Sequence, residues 1–176
     1  MTIGTDMVVL GIVIPSADPV FLGAVGLHVF ISLACVIVGL VAMLLTKGRG
    51  RHSAMGIYYF WCLTGVFTTA AALAFMRWRE DYILFLLGAL AFSLSALGRL
   101  VIKRGWNLRF HAIAMGSSYI VLITAFYVDN GKNLPIWKHL PSAAYWLIPA
   151  LVGAPLLLRT LARHPLLRTR DAKISS

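Results

Sequence analysis

Charge is what this chain has little of, and acid least of all: 12% of the residues are charged and only 6 are Asp or Glu. A soluble domain carries about twice that share, so a globule wrapped in water is excluded. Cysteine is almost absent too. Cys35 and Cys62 both stand inside apolar runs, without CxxC spacing or a disulfide framework, and read as small apolar thiols. No phosphate loop, zinc helix motif, nucleophile–base pair or pair of catalytic carboxylates occurs. That argues against hydrolase or kinase chemistry and leaves open whether the chain is an enzyme at all.

What it does have is long hydrophobic runs. The chain is 60% hydrophobic with a mean hydropathy of +0.84. Crossing a bilayer takes about 20 apolar residues in a helix, and five segments qualify: 19–46, 53–76, 82–102, 110–128 and 143–163. The expected fold class is therefore all-α, an integral membrane bundle of about five transmembrane helices. Residues 1–18 precede it as an outer N-terminal segment, 19–163 form the bundle, and 164–176 are a basic cytoplasmic tail. The apolar stretch from Met7 to Ile14 is too short to span and is expected to lie on the outer surface.

Local signals mark the helix ends. Asp18-Pro19 is an N-cap followed by proline at the first helical position. Lys47-Gly48-Arg49-Gly50 closes the first helix with glycines and cations. Glu80-Asp81 places negative charge at the start of the third, where the helix dipole favours it, and Ser142 is expected to cap the fifth. Asn130-Gly131 reads as a turn pair in the longest loop, with Trp137 as an interfacial anchor. Tyr58, Tyr59, Phe60 and Trp61 read as an interfacial aromatic belt, and Pro149 and Pro155 as kinks.

The net charge of +10 does not indicate nucleic acid, because no polar surface remains to carry it. The cations sit at the ends of apolar segments, where anionic lipid head groups lie. The sixteen Lys and Arg residues divide twelve to four between alternate loops. The poorer set is Arg77, Arg79, Lys132 and Lys138, and five of the six acids share that side. Positive loops stay in the cytoplasm, so the N-terminus is expected outside and the C-terminus inside a bacterial plasma membrane.

An internal repeat runs through the chain. Ala54-Met55-Gly56-Ile57-Tyr58-Tyr59 recurs sixty residues later as Ala114-Met115-Gly116-Ser117-Ser118-Tyr119, each copy after a basic loop and a histidine. The histidine-to-glycine spacing differs by one, so the alignment needs a gap. Duplication of a helical hairpin would relate helices one and two to helices three and four, as a parallel repeat.

Ionisable groups inside a membrane are costly and mark candidate sites. His52 and His111 each open a helix at similar depth, and are candidate ligands for a metal or for the iron of a b-type haem. Gly56 and Gly116, one turn further in, would admit a flat macrocycle or a neighbouring helix. His28 lies deeper in helix one, sharing a face with Ser32, Cys35 and Gly39. Together with Thr69 on helix two, these residues are candidates to line a polar cavity, His28 serving as a proton relay or accessory ligand. Arg77, Glu80, Asp81 and Asp129 form a candidate outer polar cluster. His139 and His164 read as solvated surface residues.

The pattern His28, Gly39, Lys47-Gly48, His52, Gly56, Tyr59, then Arg109, His111, Met115-Gly116, Tyr119, is similar to bacterial membrane proteins of the domain of unknown function 2306 family. The stretch from His111 to Tyr119 and the loop Asp129-Asn130-Gly131-Lys132-Asn133-Leu134-Pro135 carry the resemblance best, within residues 20–160. It implies a multi-pass membrane protein and no particular activity. A fainter likeness is to transmembrane b-type cytochromes, whose helices also begin with histidine followed a turn later by glycine. Those proteins pair histidines at matched depth on two helix pairs. No histidine in helix three corresponds to His28, so the likeness implies at most one haem site, at His52 and His111.

The leading expectation is a small redox or cofactor-binding membrane subunit. The alternatives are a small-solute transporter or permeation accessory, and a non-catalytic assembly partner. A second copy or another membrane-complex subunit is the expected protein partner.

Overall fold

A computed structural model describes residues 7–9, 12–14, 18–46 and 50–163. The expected stop at Lys47, Gly48 and Arg49, most of the N-terminal segment and the basic tail with His164 lie outside the described residues. Five helices account for nearly all the rest: α1 (Pro19–Leu44), α2 (Arg51–Met76), α3 (Trp78–Lys103), α4 (Leu108–Asn130) and α5 (Ser142–Arg163). Ahead of them, two three-residue strands, β1 (Met7–Val9) and β2 (Ile12–Ile14), pair antiparallel with Met7 opposite Ile14.

All five helices are long and apolar enough to cross a membrane. Much of their apolar surface has no protein against it: Phe30 is 74% exposed and Phe75 80%. Such surface is stable only in hydrocarbon, and the chain is a multi-pass membrane protein.

The chain falls into two compact units, Met1–Leu86 and Leu87–Ser176, with α3 running from one into the other. The first unit is built on α1 and α2. Asp18 caps α1 as expected, its carboxylate accepting from the Val20 N–H at 3.0 Å, with Pro19 at the first helical position. Cys35, Gly39 and Ala42 of α1 and Tyr59, Leu63 and Val66 of α2 are buried. The Phe67 and Phe85 rings, 5.7 Å apart, tie the start of α3 to α2.

The second unit packs the rest of α3 against α4, and α4 against α5. Asn107 caps α4 by accepting from the Arg109 N–H at 2.8 Å. The α4–α5 seam is cut into glycines. A Cβ on Gly116 would stand 2.8 Å from Leu157, and one on Gly153 would stand 2.5 Å from Ile120. The two contacts are spaced four residues, about one turn, on each helix, as antiparallel packing requires. At Gly116 the neighbour that approaches closely is thus a helix.

Three local expectations change. α5 begins at Ser142 instead of after it, so Ser142 is its first helical residue and not its cap. Tyr59 is 2% exposed and belongs to the core, whereas Tyr58 and Trp61 remain on the outside. Gly131 sits at φ −55°, which any residue adopts. Its use is spatial, because a Cβ there would lie 2.9 Å from the Tyr145 ring. That ring in turn donates its hydroxyl to the Trp137 carbonyl at 3.2 Å, and Trp137 stacks on Tyr127 with centroids 3.8 Å apart.

Small residues carry the α4–α5 seam, so filling it is costly in a way that filling a lipid-facing glycine is not. Gly153→Val should lose about 1–3 kcal/mol through overpacking, read as a lower midpoint of unfolding in detergent. Gly26→Val, where a Cβ meets nothing within 4 Å, should stay close to wild type.

Candidate functional site

Each unit closes its helical hairpin with the same bond. In the first, His52 Nδ1 lies 2.9 Å from the Ala42 carbonyl; in the second, His111 Nδ1 lies 2.9 Å from the Gly98 carbonyl. A carbonyl can only accept, so Nδ1 carries the proton in both rings and the neutral form keeps its lone pair on Nε2. A first-turn histidine on the second helix thus fastens itself to the last part of the first.

These bonds set the register of the repeat. Aligning His52 with His111, and Ala42 with Gly98, brings buried Cys35, Gly39 and Ala42 onto buried Ala91, Ser95 and Gly98. On the partner helices, Tyr59 and Leu63 fall on Ser118 and Leu122, all four buried. The Ala-Met-Gly match is offset by one residue from this register, and that offset is where the sequence alignment needed its gap. A second bond recurs at equivalent places with donor and acceptor exchanged. Cys35 Sγ donates to the Tyr59 carbonyl at 3.9 Å, and Ser118 Oγ donates to the Ala91 carbonyl at 2.8 Å. The two hairpins are one design used twice.

His28 breaks the pattern. Its Nδ1 is 2.8 Å from Thr69 Oγ1, and its Nε2 is 3.4 Å from Ser32 Oγ. The Thr69 hydroxyl also lies 2.8 Å from the Gly65 carbonyl and 3.0 Å from that of Val66, the usual back-bond of a helical threonine. With its proton given there, Thr69 Oγ1 accepts from Nδ1–H, and Nε2 is the bare nitrogen. Gly65 lets α1 come close at this level, for a Cβ there would lie 3.2 Å from Ile31. In the second hairpin the equivalent positions are Leu84 and Val128. No such centre can form there.

The sequence-derived candidates therefore separate. His28, Ser32 and Thr69 come together by hydrogen bonds. Cys35, expected beside them, turns to the Tyr59 carbonyl instead, and Thr68 bonds to the Gly65 carbonyl of its own helix. His52 and His111 each stand in their own hairpin. Arg77 and Glu80 form an ion pair, and the Arg77 guanidinium lies 5.7 Å over the Phe21 ring. Asp81 opens α3 alongside, half-buried, while Asp129 belongs to the second unit and accepts from Asn130 at 3.2 Å. Among the described residues no three of His, Cys, Asp or Glu group so as to hold a metal ion. The hairpin bonds through Gly98 and Ser118 went unread in the sequence. The one signal for them was that Ser118 falls in the repeated motif.

A hydrogen bond between membrane helices contributes about 1 kcal/mol. His52→Ala and His111→Ala should each lower stability in detergent by about that much, while the exposed His139→Ala should leave it unchanged; unfolding midpoints of the three variants check this.

No family model, no curated protein and no solved structure matches this chain, so what it does has to be argued from these side chains.

Proposed function

We propose that the chain passes a proton or a small polar solute across the bacterial plasma membrane by way of His28, with its N-terminus outside and its C-terminus inside. The observation that carries this reading is the contrast between the two hairpins. A bond present in both does a job that both need, and the His52 and His111 bonds serve to hold the hairpins closed. The centre formed by His28, Thr69 and Ser32 exists in one hairpin only, at a depth where an imidazole is costly to keep. Cost without structural necessity points to function.

The chemistry suits a proton carrier. Nδ1–H stays with Thr69 whether the ring is neutral or charged. On the neutral ring the Ser32 hydroxyl donates to Nε2. On the charged ring the hydroxyl rotates and its oxygen accepts from Nε2–H. Both states are satisfied without moving a helix. The orientation rests on the distribution of cations, twelve of sixteen on one set of loops, which also brings anionic head groups to that face. Liposomes carrying an internal pH dye test the reading. Under an imposed potential, wild type should acidify the lumen at least tenfold faster than His28→Ala, and equal rates in folded protein would refute it.

One observation favours a second reading, a haem- or metal-binding redox subunit with His111 as a ligand. A ring whose Nδ1–H is held by a backbone carbonyl presents Nε2 in the manner of a ligating histidine. Protein expressed with added haem should then show a Soret band that His111→Ala removes; a colourless wild type rules it out.

A further inference from the structure

The turn between α2 and α3 forms an open groove on the surface, lined by Phe75, Met76, Arg77, Trp78, Arg79 and Glu80. It lies at the end of two membrane-long helices, the depth at which lipid head groups meet acyl chains. Its lining has two characters. Phe75, Met76 and Trp78 present apolar surface, with 80%, 48% and 53% of each exposed, and the Phe75 and Trp78 rings are 6.4 Å apart. Arg77, Arg79 and Glu80 present both signs of charge, and Arg77 is committed to Glu80 and to the face of Phe21.

We propose that this groove binds a phospholipid with a zwitterionic amine head group, a phosphatidylethanolamine. The Arg79 guanidinium takes the phosphate, for which its planar donors are suited. The Glu80 carboxylate, 59% exposed beyond its pair with Arg77, takes the ammonium. The acyl chains leave along Phe75 and Met76, and Trp78 sits at the head-group level where tryptophan gathers. Phosphatidylglycerol offers Arg79 the same phosphate but has a neutral glycerol in place of the ammonium, so it lacks the ion pair with Glu80, and that difference is the source of selectivity. The site is independent of His28 and of any transport activity.

The test is thermal unfolding of the purified, delipidated chain in detergent with added lipid of matched acyl chains, together with native mass spectrometry of retained lipid. Phosphatidylethanolamine should raise the midpoint by several degrees and remain bound. Phosphatidylglycerol should give less than half that shift, and inorganic phosphate none. Arg79→Gln and Glu80→Gln should each remove most of the response to phosphatidylethanolamine, while Lys132→Gln should keep it. Should either groove variant lose stability without lipid, retention is read below its own midpoint. An equal response to both lipids, a response to phosphate alone, or full retention by Arg79→Gln would overturn the assignment.

Discussion

Hydrocarbon offers no hydrogen-bond partner, and that constraint organises this molecule more than any attraction between its helices. The outward faces can be apolar without limit, since lipid tails solvate Leu as well as another Leu does. A polar side chain directed into a seam must find its partner within the protein. Each hairpin meets the requirement with a few bonds across its own seam, from histidine to carbonyl at one level and from thiol or hydroxyl to carbonyl at the next. Small residues at Gly98, Gly116 and Gly153 let backbones and side chains come near enough for the packing that accompanies them.

The same constraint separates structure from function within the repeat. The two hairpins share bonds and buried positions that hold each together, so the positions at which they agree report on folding. The positions at which they disagree are free to do something else. Leu84 and Val128 are apolar and need no hydrogen-bond partner, whereas His28 and Thr69 at the corresponding positions must be satisfied by each other and by Ser32. The imidazole is held at one nitrogen and adaptable at the other. A fixed polar contact on one side with a rotatable hydroxyl on the other distinguishes His28 from His111, whose acceptor at Nδ1 is a rigid carbonyl.

Helix positions were legible in the sequence because the cost of exposing a backbone in lipid forces spans of nearly fixed length. All five were readable to within a few residues, as were the Asp18 cap and the acidic start of α3. Register was less legible. The Ala-Met-Gly match is the stronger pattern of letters, but the burial pattern follows the histidines, because a single bond across the seam fixes depth while a Met or Gly can shift by one position on a lipid-facing helix. Tyr59 was read with its exposed neighbours Tyr58 and Trp61, since four consecutive aromatics conceal which one points inward. Gly131 was read as a turn residue because Asn-Gly usually is one; the Tyr145 ring that needs the space is fourteen residues away. The partnership of His28 with Thr69 was half legible: depth pairs His28 with this part of α2, but Thr68 and Thr69 both back-bond to the Gly65 carbonyl, and only the 2.8 Å contact with His28 Nδ1 singles out Thr69.

The claim that seam histidines are bound through Nδ1 within their own hairpin is open to direct measurement by ¹⁵N NMR of imidazole-labelled protein in lipid, at a pH where the rings are neutral. The expected result is a protonated Nδ1 and an unprotonated Nε2 at both His52 and His111, with Nδ1–H shifts displaced by a carbonyl acceptor. A proton on Nε2 at either residue, or rapid exchange between the two nitrogens, would contradict it.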